Sequence, residues 1–344
     1  MPDLGARFEK TLDGLRPGWR AERLIVAYSG GLDSAVLLHL AAKSFPPGQV
    51  AAAHLNHSLR PEADSEQAFA ERQAQSLGVF FITGKSDVTA LAGARRRGLE
   101  EAARQARYEF LKQAAIRWPA AIIATAHQAD DQLETMLMCL VKGGGAGGLA
   151  GIHPRRPLAE GEAETPEIIR PLLSVSRDEL KVWALKHNLR WVEDSSNLDD
   201  HYLRNSLRIN VIPLLKQLNP QLSQAAARTA AILRTEEDFW DARLKTMWRN
   251  AVVQAEADGL VLDRAALAGL TRAERRRLVY EAMLKVQKFR AETPEPLSFD
   301  GVETALDLLD LPKHKGLDLP GGVRVELTAQ SFVVTLASRL RRAK

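Results

Sequence analysis

One cysteine, Cys139, stands among the 344 residues. An internal disulfide and a metal site built from cysteines alone are therefore excluded. Cys139 lies in an apolar helical run, where a thiol behaves as a small hydrophobe, so a core-filling role is expected for it. Long hydrophobic runs are missing too: no stretch approaches the ~18 apolar residues of a membrane helix. The opening segment, MPDLGARFEKTLDGLRPGWR, has no apolar core of the secretory kind. A cytoplasmic protein without membrane association is expected, and no internal repeat is visible. What is present is charge. Lys and Arg number 47 against 43 Asp and Glu, a net +4, and the pI is about 9.2. Arginines gather at Arg95–Arg97, at Arg104 and Arg107, at Arg275–Arg277, and at Arg339, Arg341 and Arg342. A single such cluster is ordinarily a solvated face, but together they are compatible with a polyanionic partner.

From about 22 to 150, short apolar runs alternate with amphipathic ones. Strands are expected at Leu24–Ala27, Val50–Leu55, Val79–Thr83 and Ala121–Ala126. Helices are expected at Ser34–Lys43, Ala63–Leu77, Glu100–Trp118 and Asp130–Leu140. This pattern specifies an α/β fold with a doubly wound parallel sheet, whose ligands bind at the carboxyl ends of strands. Residues 155–167 read as an exposed excursion, and 176–187 and 204–216 as helices. A long Ala- and charge-rich helix runs over about 221–256. A mostly helical C-terminal region (271–288, 300–310) follows, ending in a small β hairpin, 322–327 with 331–336. Two domains are expected, 1–216 and 217–344.

The loop Ser29-Gly30-Gly31-Leu32-Asp33-Ser34 sits between the first strand and its helix. Consecutive glycines permit positive φ and close approach. The free N–H groups of the first helical turn and the macrodipole then face an anion. Ser29 and Ser34 add hydroxyl donors, and Asp33 could hold Mg2+ between phosphates. The loop is shorter than GxxxxGK[ST] and lacks its lysine, which excludes a Walker A loop. A tight turn with a helix cap is the competing interpretation; Asp33 and Ser34 at this spacing weigh toward phosphate.

Three further blocks fall at expected strand ends or loops. His54-Leu55-Asn56-His57-Ser58-Leu59-Arg60 suits phosphate or an adenine ring, or is simply a polar loop. His127-Gln128-Ala129-Asp130-Asp131-Gln132-Leu133-Glu134-Thr135 pairs two carboxylates that could complement a helix dipole, hold Mg2+ or accept a proton. The glycine-rich segment Lys142–Gly151 is either a flexible linker or a surface for a large ligand. Beyond them, Arg204 and Arg208 lie one turn apart and share a helix face, and their aromatic-flanked loop suits single-stranded RNA.

Taken in order, SGGLDS (29–34), HLNHSLR (54–60), EEAARQARYEFL (100–111), HQADDQLET (127–135), GGGAGGLAGI (143–152), RPLL (170–173) and WVEDSSNLDDHYLRNSLR (191–208) resemble the tRNA(Ile)-lysidine synthetases. These belong to the PP-loop ATP pyrophosphatases, an adenine nucleotide alpha hydrolase-like fold. The resemblance covers about 22–216 closely and the remainder loosely. It implies ATP, Mg2+, free L-lysine and an isoleucine tRNA with a CAU anticodon as ligands, and family members are often homodimers. It implies further that residues 29–34 bind ATP and that Asp130 or Asp131, or less directly His127, orients or deprotonates the lysine amine. Arg107 and Arg204 would hold an adenylated intermediate. The alternatives are another PP-loop tRNA modifier, such as a cytidine 2-thiolase, and a non-catalytic tRNA-binding protein with a vestigial nucleotide fold. The thiolases carry paired CxxC cysteines, which a lone Cys139 does not supply.

Overall fold

The computed structural model describes residues 3–57, 62–87, 99–159, 165–193, 203–256, 259–290, 297–311 and 315–337. They divide into two compact units, 1–235 and 236–344. The division falls inside the helix Leu222–Ala251, whereas the break read from composition, 216/217, lies within the short helix Ile212–Leu218. The long helix carries no Gly or Pro, so nothing local marks where one unit's packing ends.

The first unit is built on a six-stranded sheet. Its strands are β1 (Leu24–Ala27), β2 (Val50–Asn56), β3 (Phe80–Lys85), β4 (Ile122–Ala124), β5 (Arg155–Pro157) and β6 (Glu167–Ile169). Their order is β3-β2-β1-β4-β6-β5, parallel except for β5 against β6. Strand β1 is buried on both faces. Leu24 and Val26 join the core that holds helices Leu32–Ser44 and Arg177–Lys186, while Ile25 packs with Phe110, Leu111 and Ala114 of helix Leu99–Arg117. Side chains alternate along a strand, so a run apolar at every position is what two covered faces require. The strand order reverses at β1, and the crevice between the ends of β1 and β4 is thus the topological switch point of the sheet.

Three features depart from the expectations. The N-terminal segment forms a helix, Leu4–Leu15, that buries Leu4, Phe8 and Leu12 at i, i+4 spacing, each contributing roughly 1.5–3 kcal/mol. The ends of the 155–167 excursion are β5 and β6, an antiparallel pair that widens the sheet; residues 160–164 lie outside the described residues. The expected helix 204–216 is broken into Leu203–Ser206, a π turn Leu207–Val211, and Ile212–Leu218 with Pro213 in its first turn. Proline has no N–H for the i→i−4 ladder, and the ladder widens just before it.

In the second unit, helices Arg272–Arg290 and Phe299–Leu309 pack on an antiparallel sheet of five strands. These are β7 (Val252–Ala255), β8 (Gly259–Asp263), β9 (Lys315–Leu319), β10 (Val323–Leu327) and β11 (Ser331–Leu336), in the order β7-β8-β11-β10-β9. The expected hairpin is β10 with β11, and it stands inside this larger sheet. Leu278, Met283, Val286, Leu306 and Phe332 lie in its core. The Arg275–Arg277 cluster is structural. Arg275 caps carbonyls of Leu267 and Ala268 and pairs with Asp310, Arg276 pairs with Glu303, and Arg277 grips both oxygens of Glu237. Its charge is spent on carboxylates, so this cluster is not among those left to meet a polyanion. The clusters at 95–97 and 339–342 lie outside the described residues. Among the described residues no helix is long and apolar enough to cross a membrane.

Candidate active site

The glycine loop follows β1 directly at the switch point. Gly30 adopts φ +87°, a left-handed conformation that favours glycine, and Gly31 caps helix Leu32–Ser44 without any side-chain cap bond. The free N–H groups of the first turn thus remain available. Ser34 Oγ donates to Gly31 O at 2.9 Å, and the Ser29 and Ser34 hydroxyls lie 3.1 Å apart. Leu32 is buried and anchors the turn. Val192 N donates to Gly30 O at 2.9 Å, laying the start of the 191–208 block against the loop; residues 194–202 lie outside the described residues, as do Ser58, Leu59 and Arg60.

Asp33, in the same first turn, has one carboxylate oxygen 3.6 Å from Arg177 and the other, Oδ1, buried without a partner. Burial pushes its pKa up to about 6; Arg177 opposes the shift, while Asp131 and Asp130 reinforce it. An orphaned carboxylate oxygen beside a phosphate-type loop is a fitting ligand for a divalent cation. Mg2+ commonly takes one or two carboxylates and completes its shell with phosphates and water, so the residues present fit that ion.

The 127–135 block starts helix Ala129–Val141 at the end of β4. Gln128 and Asp131 form a reciprocal capping box, and Asp131 Oδ1 also accepts from Arg204 at 2.9 Å. Asp130 is buried and tied elsewhere: its oxygens accept from Arg177 N, Lys216 Nζ and Ser223 Oγ. Burial alone would raise its pKa, but those hydrogen bonds outweigh it and hold the carboxyl below its ordinary value. Both carboxylates are therefore engaged, and Asp130 acts as the tie between three segments. The buried carboxylate nearby is Glu134, which accepts from Arg204 Nε at 2.7 Å and from Arg208 Nε at 2.6 Å. The shared face of Arg204 and Arg208 is turned onto this one group.

His127 Nδ1 lies 2.9 Å from Thr125 Oγ1. Burial, then the charges of Arg170, Arg204, Arg107 and Arg104, drive its pKa down to about 3. It is a neutral imidazole and a weak base. His57 is likewise pushed down to about 4 by burial, Arg107 and His54, and its Nδ1 is buried without a partner. Arg107 keeps access to solvent between these two histidines and near Arg204. Arg107 and Arg204 thus both act on His127, Arg204 bonds Asp131, and Asp131 lies close enough to Asp33 of the glycine loop to act on it.

The glycine-rich segment is exposed over 142–148, but three of its glycines lie tight against their own helix. Cβ atoms at Gly144 and Gly148 would fall 2.5 and 2.6 Å from Cys139 Sγ, and one at Gly151 would fall 2.5 Å from Gln132 Oε1. Gln132 in turn binds Ile152 through both its amide atoms, at 2.6 and 3.3 Å. Close approach to its own helix accounts for these three glycines. Cys139 is half-exposed beneath this loop, which corrects its expected place in a core. Arg177, Lys216 and Ser223 escaped the sequence reading because they arrive from distant segments. For Arg177 a signal existed: the Ser176–Glu179 capping box marks a helix start, and Arg177 is its first residue.

The family model of the PP-loop domain matches residues 4–215. A tRNA(Ile)-lysidine synthase of Burkholderia pseudomallei is 40% identical over 247 residues, covering 72% of this chain and 49% of that protein. That of Geobacter sulfurreducens is 36% identical over 314 residues, covering 90% and 64%. The chain thus spans about half to two thirds of the length of these curated relatives. Among solved structures, the U34-tRNA thiolase NcsA from Methanococcus maripaludis with its [4Fe-4S] cluster superposes with a TM-score of 0.55 at 17% identity, over 67% of this chain and 78% of that one; this is a likeness of fold. With the family match running through the glycine loop, the sheet and the arginine-bearing helices around it, the chain belongs to the PP-loop domain family.

Proposed function

We propose that this protein makes lysidine: it uses ATP to join free L-lysine to C2 of the wobble cytidine of an isoleucine tRNA with a CAU anticodon. The observation that carries this reading is the 36–40% identity to proteins named tRNA(Ile)-lysidine synthase, over 314 and 247 residues. In it, residues 1–216 are the ATP-binding catalytic part, and the region 217–344 contributes to binding the tRNA.

The chemistry divides one difficult displacement into two easier ones. The C2 oxygen of cytosine attacks the α-phosphorus of ATP, and pyrophosphate leaves. The lysine amine then attacks C2 and AMP departs with that oxygen. Ser29, Gly30, Gly31, Leu32, Asp33 and Ser34 would seat the triphosphate through backbone N–H groups and hydroxyls that need no rearrangement as charge develops. Mg2+, held by Asp33, would neutralise phosphate charge. Arg107 and Arg204 would hold the adenylated cytosine. The amine, with an ordinary pKa of about 10.4, must shed a proton. Asp131, less heavily bonded than Asp130, is the better acceptor, and His127 is a poor one at a pKa of about 3. Positioning supplies most of the remaining acceleration.

The test is incorporation of labelled lysine into isoleucine tRNA in the presence of ATP and Mg2+, with AMP release followed in parallel. Transfer that requires all three substrates upholds the reading. AMP formation that needs neither lysine nor tRNA, or lysine that never enters the RNA, defeats it.

A further inference from the structure

We propose that Arg104 and Arg156, which lie over the ring of Tyr108, and Arg170 beside it form a second anion site that takes a backbone phosphodiester of the RNA substrate. This rests on the reading above and extends it to residues that reading does not use. Arg156, on β5, lies over the Tyr108 ring with its Cζ 4.7 Å from the centroid, and Arg104, one turn earlier on the same helix as Tyr108, lies at 5.6 Å. Arg170, at the end of β6, is only 5% exposed. It donates to His153 O, and its Nε is buried with no partner. Burial would raise the Tyr108 pKa, yet Arg156, Arg104 and Arg170 together bring it down.

Among the described residues no carboxylate pairs with any of these three arginines. Arg272, Arg275, Arg276 and Arg277 of the second unit provide the contrast, for each of them meets Glu or Asp. Three guanidiniums around one phenol, one of them desolvated, repel one another unless an anion completes the set. Guanidinium forks match phosphate oxygens in pairs, and aromatic and guanidinium planes suit single-stranded RNA. The cradle is separate from the glycine loop. Arg156 stands on β5, three strand spacings from β1 in the order β1-β4-β6-β5, each about 4.8 Å. It still adjoins the site, since Arg170 and Arg104 act on His127.

The experiment measures binding of a fluorescent RNA stem-loop with a CAU loop to the full chain across a salt series, for the wild type, Arg104→Gln, Arg156→Gln and Arg156→Lys. ATP affinity and thermal unfolding are followed alongside. Each Gln variant should bind RNA about tenfold more weakly, with the log–log salt slope reduced by about 0.7–1, while ATP affinity and Tm stay as in the wild type. Arg156→Lys should keep the slope. RNA affinity and slope unchanged in both Gln variants would overturn the proposal while leaving the lysine-transfer reading intact. A parallel loss of ATP affinity would overturn it in favour of a nucleotide's phosphates. Absence of RNA binding by the wild type would remove both.

Discussion

Asp33 and Glu134 both place a carboxylate oxygen out of water, but only Glu134 finds hydrogen-bond donors for both its oxygens. Asp33 has an orphaned oxygen and a pKa pushed up to about 6, so in the free protein it takes up a proton as pH falls through that value. A proton and a cation compete for the same oxygen, and affinity for Mg·ATP should therefore weaken between pH 7 and 5. Asp33→Asn should remove that component of the pH dependence and cut pyrophosphate release by about a hundredfold or more. A variant with wild-type release and the same pH profile would take Asp33 out of the site. Glu134 instead is buried beneath Arg204 and Arg208 and bonded to both. Glu134→Gln removes the counter-charge nearest to both guanidiniums and leaves them Asp131, at 2.9 Å from Arg204 and 4.0 Å from Arg208. It should cost about 2–4 kcal/mol in urea denaturation, less than a fully buried pair because both arginines keep some solvent contact. An unchanged urea midpoint would argue against that pairing. The glycine loop and its Asp were legible as a local string, strand then Gly-Gly then helix. The pairing of Glu134 with Arg204 and Arg208 spans some seventy positions, and no local pattern encodes it.

Helices Leu32–Ser44 and Arg177–Lys186 both begin at the site and pack along each other. Trp183 Nε1 donates to His39 Nδ1 at 3.2 Å, and the Trp183 and His187 rings lie 4.1 Å apart. Burial, with help from Lys43 and His187, drives the His39 pKa down to about 4. The folded state thus holds His39 neutral. That contribution is complete above the unfolded value of about 6.5 and is lost as pH falls toward 4. Tm should drop across this window. His57 and His127 add the same sign, so the wild-type slope alone does not isolate His39. His39→Gln should be shallower, by at least the 2–4 °C that corresponds to about 1 kcal/mol in a unit of this size. Identical slopes would place the acid sensitivity elsewhere. At this scale the strong periodic helices, the four parallel strands β1–β4 and the hairpin of β10 with β11 were readable. Strands β5 to β9 were not: each is three to five residues long, and so short a run without a strongly apolar pattern pairs only when a neighbouring strand is already there.

Each unit has its own apolar core, one around β1 and its flanking helices, the other between helix Arg272–Arg290 and the five-stranded sheet. A chain ending at Thr235 should then unfold cooperatively and bind ATP within a few-fold of the full protein, while binding tRNA at least tenfold more weakly. Calorimetry and paired titrations measure both; equal loss of the two affinities would mean that the units do not fold independently. The sequence by itself determined the α/β class, the glycine loop between β1 and its helix, and the family, since these rest on periodicity, glycine and contiguous motifs. Only the tertiary structure decided which arginines are free to act. Arg275–Arg277 and Arg104 look alike in sequence, yet the first three meet carboxylates and Arg104 meets Tyr108. Whether a charge is spent depends on partners brought from elsewhere in the chain, and only folding supplies them.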